Sequence, residues 1–294
     1  MTKKNILMVV NPISGDVDKS TFIQEAKFYA DDLNIRFILY ETTGKNDEEQ
    51  IRSLCDLHQP ERVLVAGGDG TIKMVAEALE ECDIIIGILP AGSANGLSVD
   101  LDLPSDLMEN IKIAFHNAPM EMDMIRINGR KSMHLSDLGL NAELVKNYES
   151  GTTRGKLGYA LQTFSTLSEM KEPFSAKIFA NDKQVEVTAR IIIIANSQKY
   201  GTGVTINPNG KMDDGKFELV IIKNLDLFVF GQIITGNMPL DSEDVLIIST
   251  DKATIKTEVP VPFQIDGEYI GEEKVVEIDI LHKQMKVAVP VSLL

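Results

Sequence analysis

The sequence predicts two domains: an α/β domain with a parallel sheet in three layers, followed by a mostly antiparallel β-sandwich. Three observations predict this. Up to about Met124, runs that are apolar throughout alternate with amphipathic helical segments, the pattern of βαβ units whose sheet is covered on both faces. Beyond Met124, short β-rich segments separated by turn residues dominate. Polar glycine turns close three of the early strands, where ligands of open α/β sheets bind.

In chain order, Ile6–Val10 reads as a strand. Phe22, Ala26, Tyr29, Ala30 and Leu33 recur at helical spacing. Ile35–Tyr40 is strand-like, and Ile51, Leu54, Cys55 and Leu57 mark a helix. Arg62–Ala66 is a strand, Ile72, Val75, Ala76 and Leu79 a helix, and Ile84–Leu89 a fourth strand. Leu107, Ile111 and Ala114 give one more helix. In the second half, strands are expected at Phe174–Ala180, Val185–Ala195, Phe217–Lys223, Val245–Ser249, Ala253–Thr257, Val275–Leu281 and Met285–Val289. Gly155–Met170 and Asp226–Asn237 read as helices. The expected domains are 1–124 and 125–284, with a last strand near 285–294 returning to the first.

The formal net charge of −15 argues against broad nucleic-acid binding and against wide contact with anionic membranes. It leaves room for a local basic patch, expected around Lys146, Arg154 and Lys156. Cys55 and Cys82 lie in segments read as helical and outside any CxxC, so both are expected to be buried, reduced thiols. His58, His116, His134 and His282 are too scattered to suggest zinc. No apolar run approaches a membrane span, and a strand explains the N-terminus better than a signal peptide, so a cytoplasmic protein is expected.

Residues 63–72 read VLVAGGDGTI. Glycines let a backbone approach a ligand closely, and the N–H groups of the following helix terminus favour an anion such as phosphate. Asp69 would repel that phosphate unless it holds Mg²⁺ or meets a hydroxyl to be activated. Read alone, the stretch also fits a tight turn in which Asp69 or Thr71 caps the helix. Asn11-Pro12-Ile13-Ser14-Gly15 follows the first strand, and Pro90-Ala91-Gly92-Ser93-Ala94-Asn95-Gly96 the fourth. Ends of parallel strands share one side of a sheet, so the three turns can converge. Neither a Walker A sequence nor GxGxxG is present.

These motifs resemble those of the diacylglycerol kinase catalytic family, which spans bacterial lipid kinases, sphingosine kinases and ceramide kinases. The resemblance covers nearly the whole chain: NPISG at 11–15, GGDGT at 67–71, LPAGSANGL at 89–97, MIRINGR at 124–130, LGLNAELV at 138–145, KLGYALQTF at 156–164, MDDGKFELVII at 212–222 and IDGE at 265–268. GGDGT alone is shared with NAD kinases and phosphofructokinases, whose α/β fold the first domain is expected to share.

The resemblance implies an ATP-dependent, Mg²⁺-assisted kinase acting on a lipid hydroxyl, of a diacylglycerol or a sphingoid type, in phospholipid metabolism. The first domain would carry the nucleotide and the second most of the lipid pocket, with the reaction in the cleft between them. Asn11, Pro12, Ser14 and Gly15 would line the nucleotide, with Thr42 nearby. Gly67, Gly68, Gly70 and Thr71 would cradle phosphates; Ser93 would donate to them, and Asn95 belongs to the same loop. Asp69 would help hold the catalytic Mg²⁺. Asp266 and Glu268 match the acidic pair at the catalytic centre, one of which takes the hydroxyl proton. Asp214 matches a structural Mg²⁺ site completed by the backbone carbonyls of Lys211 and Lys216. Read without the family, Asp-Gly-Glu and Asp-Asp-Gly are plain turns. The implied partner is a lipid met through transient, peripheral membrane contact, with no nucleic acid; a homodimer is left open.

Bacterial diacylglycerol kinases usually read GGDGTxNEV and GTxND. Here Lys73 and Met74 replace the polar-acidic pair and Gly96 replaces the later aspartate, so two carboxylates are lost. This leaves room for two other functions: a nucleotide-binding regulator without catalysis, or a soluble-substrate kinase such as an NAD kinase. Lys73 reads as a phosphate contact or as a solvated lysine. Phe164, Leu167, Met170 and Phe174 read as an apolar pocket wall or as core.

Overall fold

The computed structural model describes residues 4–15, 17–80, 82–93, 95–139, 142, 172–199, 204–224 and 243–293. The chain forms two compact units, Met1–Met122 with Lys283–Leu294, and Asp123–His282. The first is α/β; the second is a β-sandwich.

In the first unit β1 (Asn5–Val10), α1 (Ser20–Asp32), β2 (Arg36–Glu41), α2 (Asp47–His58), β3 (Arg62–Gly67), α3 (Asp69–Ala78) and β4 (Ile85–Pro90) alternate, followed by α4 (Gly96–Asp100) and α5 (Leu107–His116). The strands lie in the order β2-β1-β3-β4, all parallel, and the returning residues Lys286 and Val287 pair with Ile85 and Ile86 beyond β4. Val63–Ala66 and Leu7–Val10 are inaccessible to solvent, as strands sandwiched between helices must be. Ile6, Met8 and Val10 of β1 pack with Ala26 and Ala30 of α1 and with Ile111 and Ala114 of α5. The opposite face meets α2 and α3, which completes three layers. β2 and β3 flank β1 on opposite sides, so the winding direction reverses between β1 and β3. Such a reversal opens a crevice at the strands' carboxyl ends.

In the second unit β5 (Pro119–Ile127), β6 (Arg130–Ser132), β7 (Leu135–Gly139), β8 (Phe174–Ala180), β9 (Lys183–Ala189), β10 (Ile191–Ala195), β11 (Phe217–Ile222), β12 (Val245–Thr250), β13 (Lys252–Ile265) and β14 (Glu268–Ala288) build the sandwich. β5 begins and β14 ends in the first unit. Antiparallel pairing runs β12-β11-β10-β7-β13-β14. The first half of β13 pairs instead with β8, itself paired with β9. A register shift between Lys256 and Val261, spanning Pro260, lets β13 serve two partners; a proline at a bulge loses no ladder hydrogen bond. Leu138, Ile178, Ile192, Phe217, Phe263 and Ile278 lie in the core between the layers.

Several boundaries differ from expectation. The single strand read at Val185–Ala195 is two, because the chain changes partners at Arg190: β9 pairs with β8, and β10 with β7 and β11. Val275–Leu281 and all but the last residue of Met285–Val289 fall on one continuous strand, β14, which tolerates a left-handed residue at Lys283. Cys82 is exposed and non-helical, so only Cys55 is a buried thiol. Leu57 is exposed; the residues that α2 buries are Asp47, Ile51 and Cys55. The helices expected at Gly155–Met170 and Asp226–Asn237, and the patch at Lys146, Arg154 and Lys156, lie outside the described residues. So do Ala94, Phe164, Leu167 and Met170. Phe174 packs against the sandwich core.

Candidate functional site

The three glycine turns of the first unit meet at the β1/β3 reversal. Asn11, directly after β1, donates its backbone N–H to Ala66 O and its side-chain Nδ2 to Thr71 Oγ1 at 3.2 Å. That hydrogen bond joins the first turn to the second across the crevice. Thr71 packs back onto the end of β3: a Cβ on Gly67 would lie 2.6 Å from Thr71 Cβ, so only glycine fits. The third turn closes on both others. Ala91 N–H bonds Gly67 O, and Ser14 Oγ donates to Asn11 O at 3.1 Å and to Ala91 O at 3.4 Å. Gly15 has φ +59°, and its Cα abuts the backbone of Gly92 and Ser93, where a Cβ would clash at 2.9 Å. Asn95 folds back on Gly92 through two side-chain hydrogen bonds of 3.0 Å, while Ser93 is exposed.

Asp69 opens α3, yet its carboxylate caps a different helix. Oδ2 accepts Gly96 N–H at 2.7 Å and Oδ1 accepts Leu97 N–H at 3.1 Å. The cap that the sequence allowed, Asp69 or Thr71 on α3, is therefore not formed, because the Asp69 carboxylate is taken by α4. Gly68 is the N-cap of α3 in extended conformation, without a side-chain cap.

A cavity of about 240 Å³ lies beside these turns, lined among others by Asn11, Ile13, Thr42, Gly70, Thr71 and Met74. It gathers four of the nucleotide residues expected from the sequence, together with Met74, one of the two departures from the family pattern. Its far rim, Thr43-Gly44, hangs on buried Asp47: Oδ1 accepts Tyr40 OH at 2.6 Å and Thr43 N–H at 2.8 Å, and Oδ2 accepts Gly44 N–H at 2.7 Å. Burial pushes the Asp47 carboxyl up, but these N–H and hydroxyl donors outweigh it and hold it below the usual aspartate value. Tyr40 is pushed up to about 12 by burial and by Asp47. Sequence reading missed Asp47; its signal was an acid opening a helix three residues after the glycine of a Thr-Thr-Gly turn. A larger depression of about 300 Å³ on the second unit, lined by Lys177, Glu186 and Lys256 among others, contains none of the expected site residues.

In the second unit Asp266-Gly267 is the two-residue turn joining β13 to β14, with φ +50° and +85° and Ile265 paired with Glu268. The plain-turn reading is thus correct for its backbone. Its side chains are unusual. Asp266 accepts Ser132 Oγ at 2.8 Å, Met133 N–H at 3.1 Å and His134 N–H at 3.0 Å. Gly267 N–H bonds Gln264 Oε1 at 2.7 Å, and the Gln264 amide donates to buried Asp137. Both anchors hold the turn against the β6–β7 segment and leave Glu268 exposed.

Asp214 is exposed, and its Oδ1 accepts Lys216 N–H at 3.1 Å. The next residue, Gly215, donates its N–H to fully buried Asp123 at 2.7 Å, and Asp123 also contacts His282 Nδ1 at 2.6 Å. Lys211 is exposed at the start of this loop. No group of three His, Cys, Asp or Glu gathers at one point among the described residues.

The family model for the diacylglycerol kinase catalytic domain matches residues 5–127, and that for the YegS C-terminal NAD kinase beta sandwich-like domain matches residues 137–289. The chain is 25% identical over 279 residues to a diacylglycerol kinase of Bacillus subtilis (strain 168), covering 91% of each. It is 27% identical over 241 residues to uncharacterized protein sll0036 of Synechocystis sp., covering 78% of this chain and 55% of that protein. A solved structure of a diacylglycerol kinase from Bacillus anthracis str. Sterne superposes with a TM-score of 0.76 at 20% identity over 100% of both chains, a likeness of fold.

Proposed function

The chain belongs to the family that joins a diacylglycerol kinase catalytic domain to a YegS C-terminal NAD kinase beta sandwich-like domain, and from this premise we propose that it is an ATP-dependent lipid kinase. It transfers the γ-phosphoryl group to a hydroxyl of a diacylglycerol or sphingoid-type lipid. The observation that carries the reading is the meeting of three polar turns at the β1/β3 reversal, pinned by the Asn11–Thr71 hydrogen bond.

In this reading Asn11, Pro12, Ser14, Gly15 and Thr42 receive the nucleotide. Gly67, Gly68, Gly70 and Thr71 cradle its phosphates, with Ser93 donating and Asn95 shaping that loop. Phosphoryl transfer asks the protein mainly for alignment and charge stabilisation. A lipid alcohol is a weak nucleophile at neutral pH, so a carboxylate takes its proton. Asp266 is committed to the Ser132 hydroxyl and the 133–134 backbone, so Glu268 is assigned the proton and Asp266 the shape of the turn.

Asp69 is the carboxylate that remains at the turns, since Met74 and Gly96 stand where the bacterial pattern has acids. One carboxylate fits a Mg²⁺ that arrives on the triphosphate and keeps several waters. When bound, that ion offsets charge between the β and γ phosphates. Asp214, with the carbonyls of Lys211 and Lys216, offers oxygen donors of the kind a second, structural Mg²⁺ takes.

A lipid acceptor implies work at a bilayer surface from the cytoplasmic side. Among the described residues no helix is long and apolar enough to cross a membrane, so peripheral contact is the mode proposed.

The test is to incubate the purified protein with Mg²⁺, γ-labelled ATP and a lipid extract, and to identify the labelled product by mass. A phosphorylated lipid is expected. ATP binding by calorimetry without transfer to any lipid would favour the nucleotide-binding regulator, the reading that the two lost carboxylates support; transfer to NAD would favour the soluble-substrate kinase.

A further inference from the structure

We infer that Lys19 is a positioning residue for polyphosphate: from behind the first glycine turn it aims backbone N–H groups at a triphosphate and adds a buried positive charge. The inference rests on the nucleotide reading above and assigns a role that the motif itself does not contain.

Lys19 stands just ahead of α1 and is only 5% exposed. Its Nζ donates to the carbonyl oxygen of Ser14 and, at 2.8 Å, to that of Val17. Long charged side chains are seldom buried this deeply, because desolvating an ammonium is costly. Here the ammonium is used to turn two peptide planes. In a trans peptide the C=O and N–H point in opposite directions. With Ser14 O drawn inward to Lys19, Gly15 N–H faces away from it; with Val17 O drawn inward, Asp18 N–H does the same. Gly15 is in the left-handed region and seated against Gly92 and Ser93, so its amide is fixed from both sides. The Gly15 and Asp18 N–H groups, each facing away from an anchored carbonyl, are fixed donors for an anion.

Charge supports the same conclusion. The chain carries a net −15, a field that disfavours a polyanion at long range. A cation behind an N–H-lined turn offsets that field locally, and in a desolvated position it is screened little by salt.

The experiment titrates wild type, Lys19→Met and Lys19→Gln with three probes by calorimetry: ATP, inorganic tripolyphosphate and adenosine. Both substitutions remove the charge, while glutamine keeps a neutral donor for the two carbonyls. ATP and tripolyphosphate are expected to bind about tenfold or more weaker to both variants, with adenosine within about twofold of wild type. A merely structural lysine would weaken adenosine as much as ATP, and that result overturns the inference, as does unchanged ATP affinity. If Lys19→Met does not fold, Lys19→Gln with a wild-type melting temperature carries the same comparison. A wild type that binds none of the three probes refutes the nucleotide reading itself; a wild type that binds ATP, with both variants equal to it, refutes only the role of Lys19.

Discussion

Asp69 accepts the backbone N–H of Gly96 at 2.7 Å, so the carboxylate of the second glycine turn holds the start of the helix after the third. One side chain therefore has two tasks, capping α4 and, in the proposed reading, holding Mg²⁺. Substitution separates them. Asp69→Ala leaves the α4 N–H groups without their acceptor and is expected to cost about 1–2 kcal/mol of stability and to abolish turnover. Asp69→Asn keeps one acceptor, so it should melt closer to wild type and still transfer at least about 100-fold more slowly. Thermal melts beside phosphoryl-transfer rates check this; an Asp69→Asn protein as active as wild type removes Asp69 from the chemistry.

Gly67→Ala addresses the seam between β3 and α3. The added methyl meets Thr71 Cβ and Oγ1 at 2.6 Å, so Thr71 must move and release Asn11. A loss of about 1–3 kcal/mol and weaker ATP binding are expected. The double variant Gly67→Ala/Thr71→Gly removes all three Thr71 atoms that the methyl meets and, despite a glycine in the first turn of α3, should recover part of the stability. Urea unfolding of both proteins decides; no recovery would mean that the clash lies elsewhere.

The first unit was largely legible because its signal is local: a strand buried on both faces is written as a continuous apolar run, and each helix supplies its own period. Even the convergence of the turns follows from parallel strands ending on one side. Contacts made by side chains on distant backbone were not legible. Nothing near Asp69 announces Gly96 as its partner, and nothing in DVDKS marks Lys19 as buried. In the second unit, the strand expected at Ala253–Thr257 runs on through Pro260 and Pro262 to Ile265, because the register shifts between Lys256 and Val261. Asp266-Gly267 was read as a turn and is one, but its ties to Ser132, Met133 and His134 span over 130 residues of chain and leave no local trace.

Asp47 gives the rim of the cavity an acid sensitivity. Its carboxyl lies below the usual aspartate value in the folded protein, so folding favours the charged form. That contribution is present above the unfolded value of about 4 and is lost as pH falls through the lower folded value. Asp47→Asn lacks the titrating group. Urea midpoints of wild type and Asp47→Asn should therefore differ most at pH 6 and converge towards pH 3; a constant gap would show that the charge is not what the donors recognise.

The two thiols should react at very different rates. Burial, with the negative charges of Cys82 and Asp56 adding to it, pushes Cys55 up to about 12, whereas Cys82 is exposed. Only the thiolate reacts, so at pH 8 one thiol should label quickly and Cys82→Ser should abolish that phase. Two fast phases in the native protein would contradict the burial of Cys55.

The acidic turn of the second unit offers the sharpest division of labour. Asp266 takes three donors from the 132–134 segment, while Glu268 beside it is exposed. Asp266→Ala leaves a hydroxyl and two backbone N–H groups without their acceptor, and about 2–3 kcal/mol of stability should go with them. Glu268→Gln touches no such anchor, so its stability should stay within about 0.5 kcal/mol of wild type. If Glu268 takes the lipid proton, kcat falls by about 100-fold or more while KM for ATP stays level. A Glu268→Gln enzyme with the kcat of wild type would return the proton to Asp266, and an Asp266→Ala protein that melts like wild type would deny Asp266 its anchoring role.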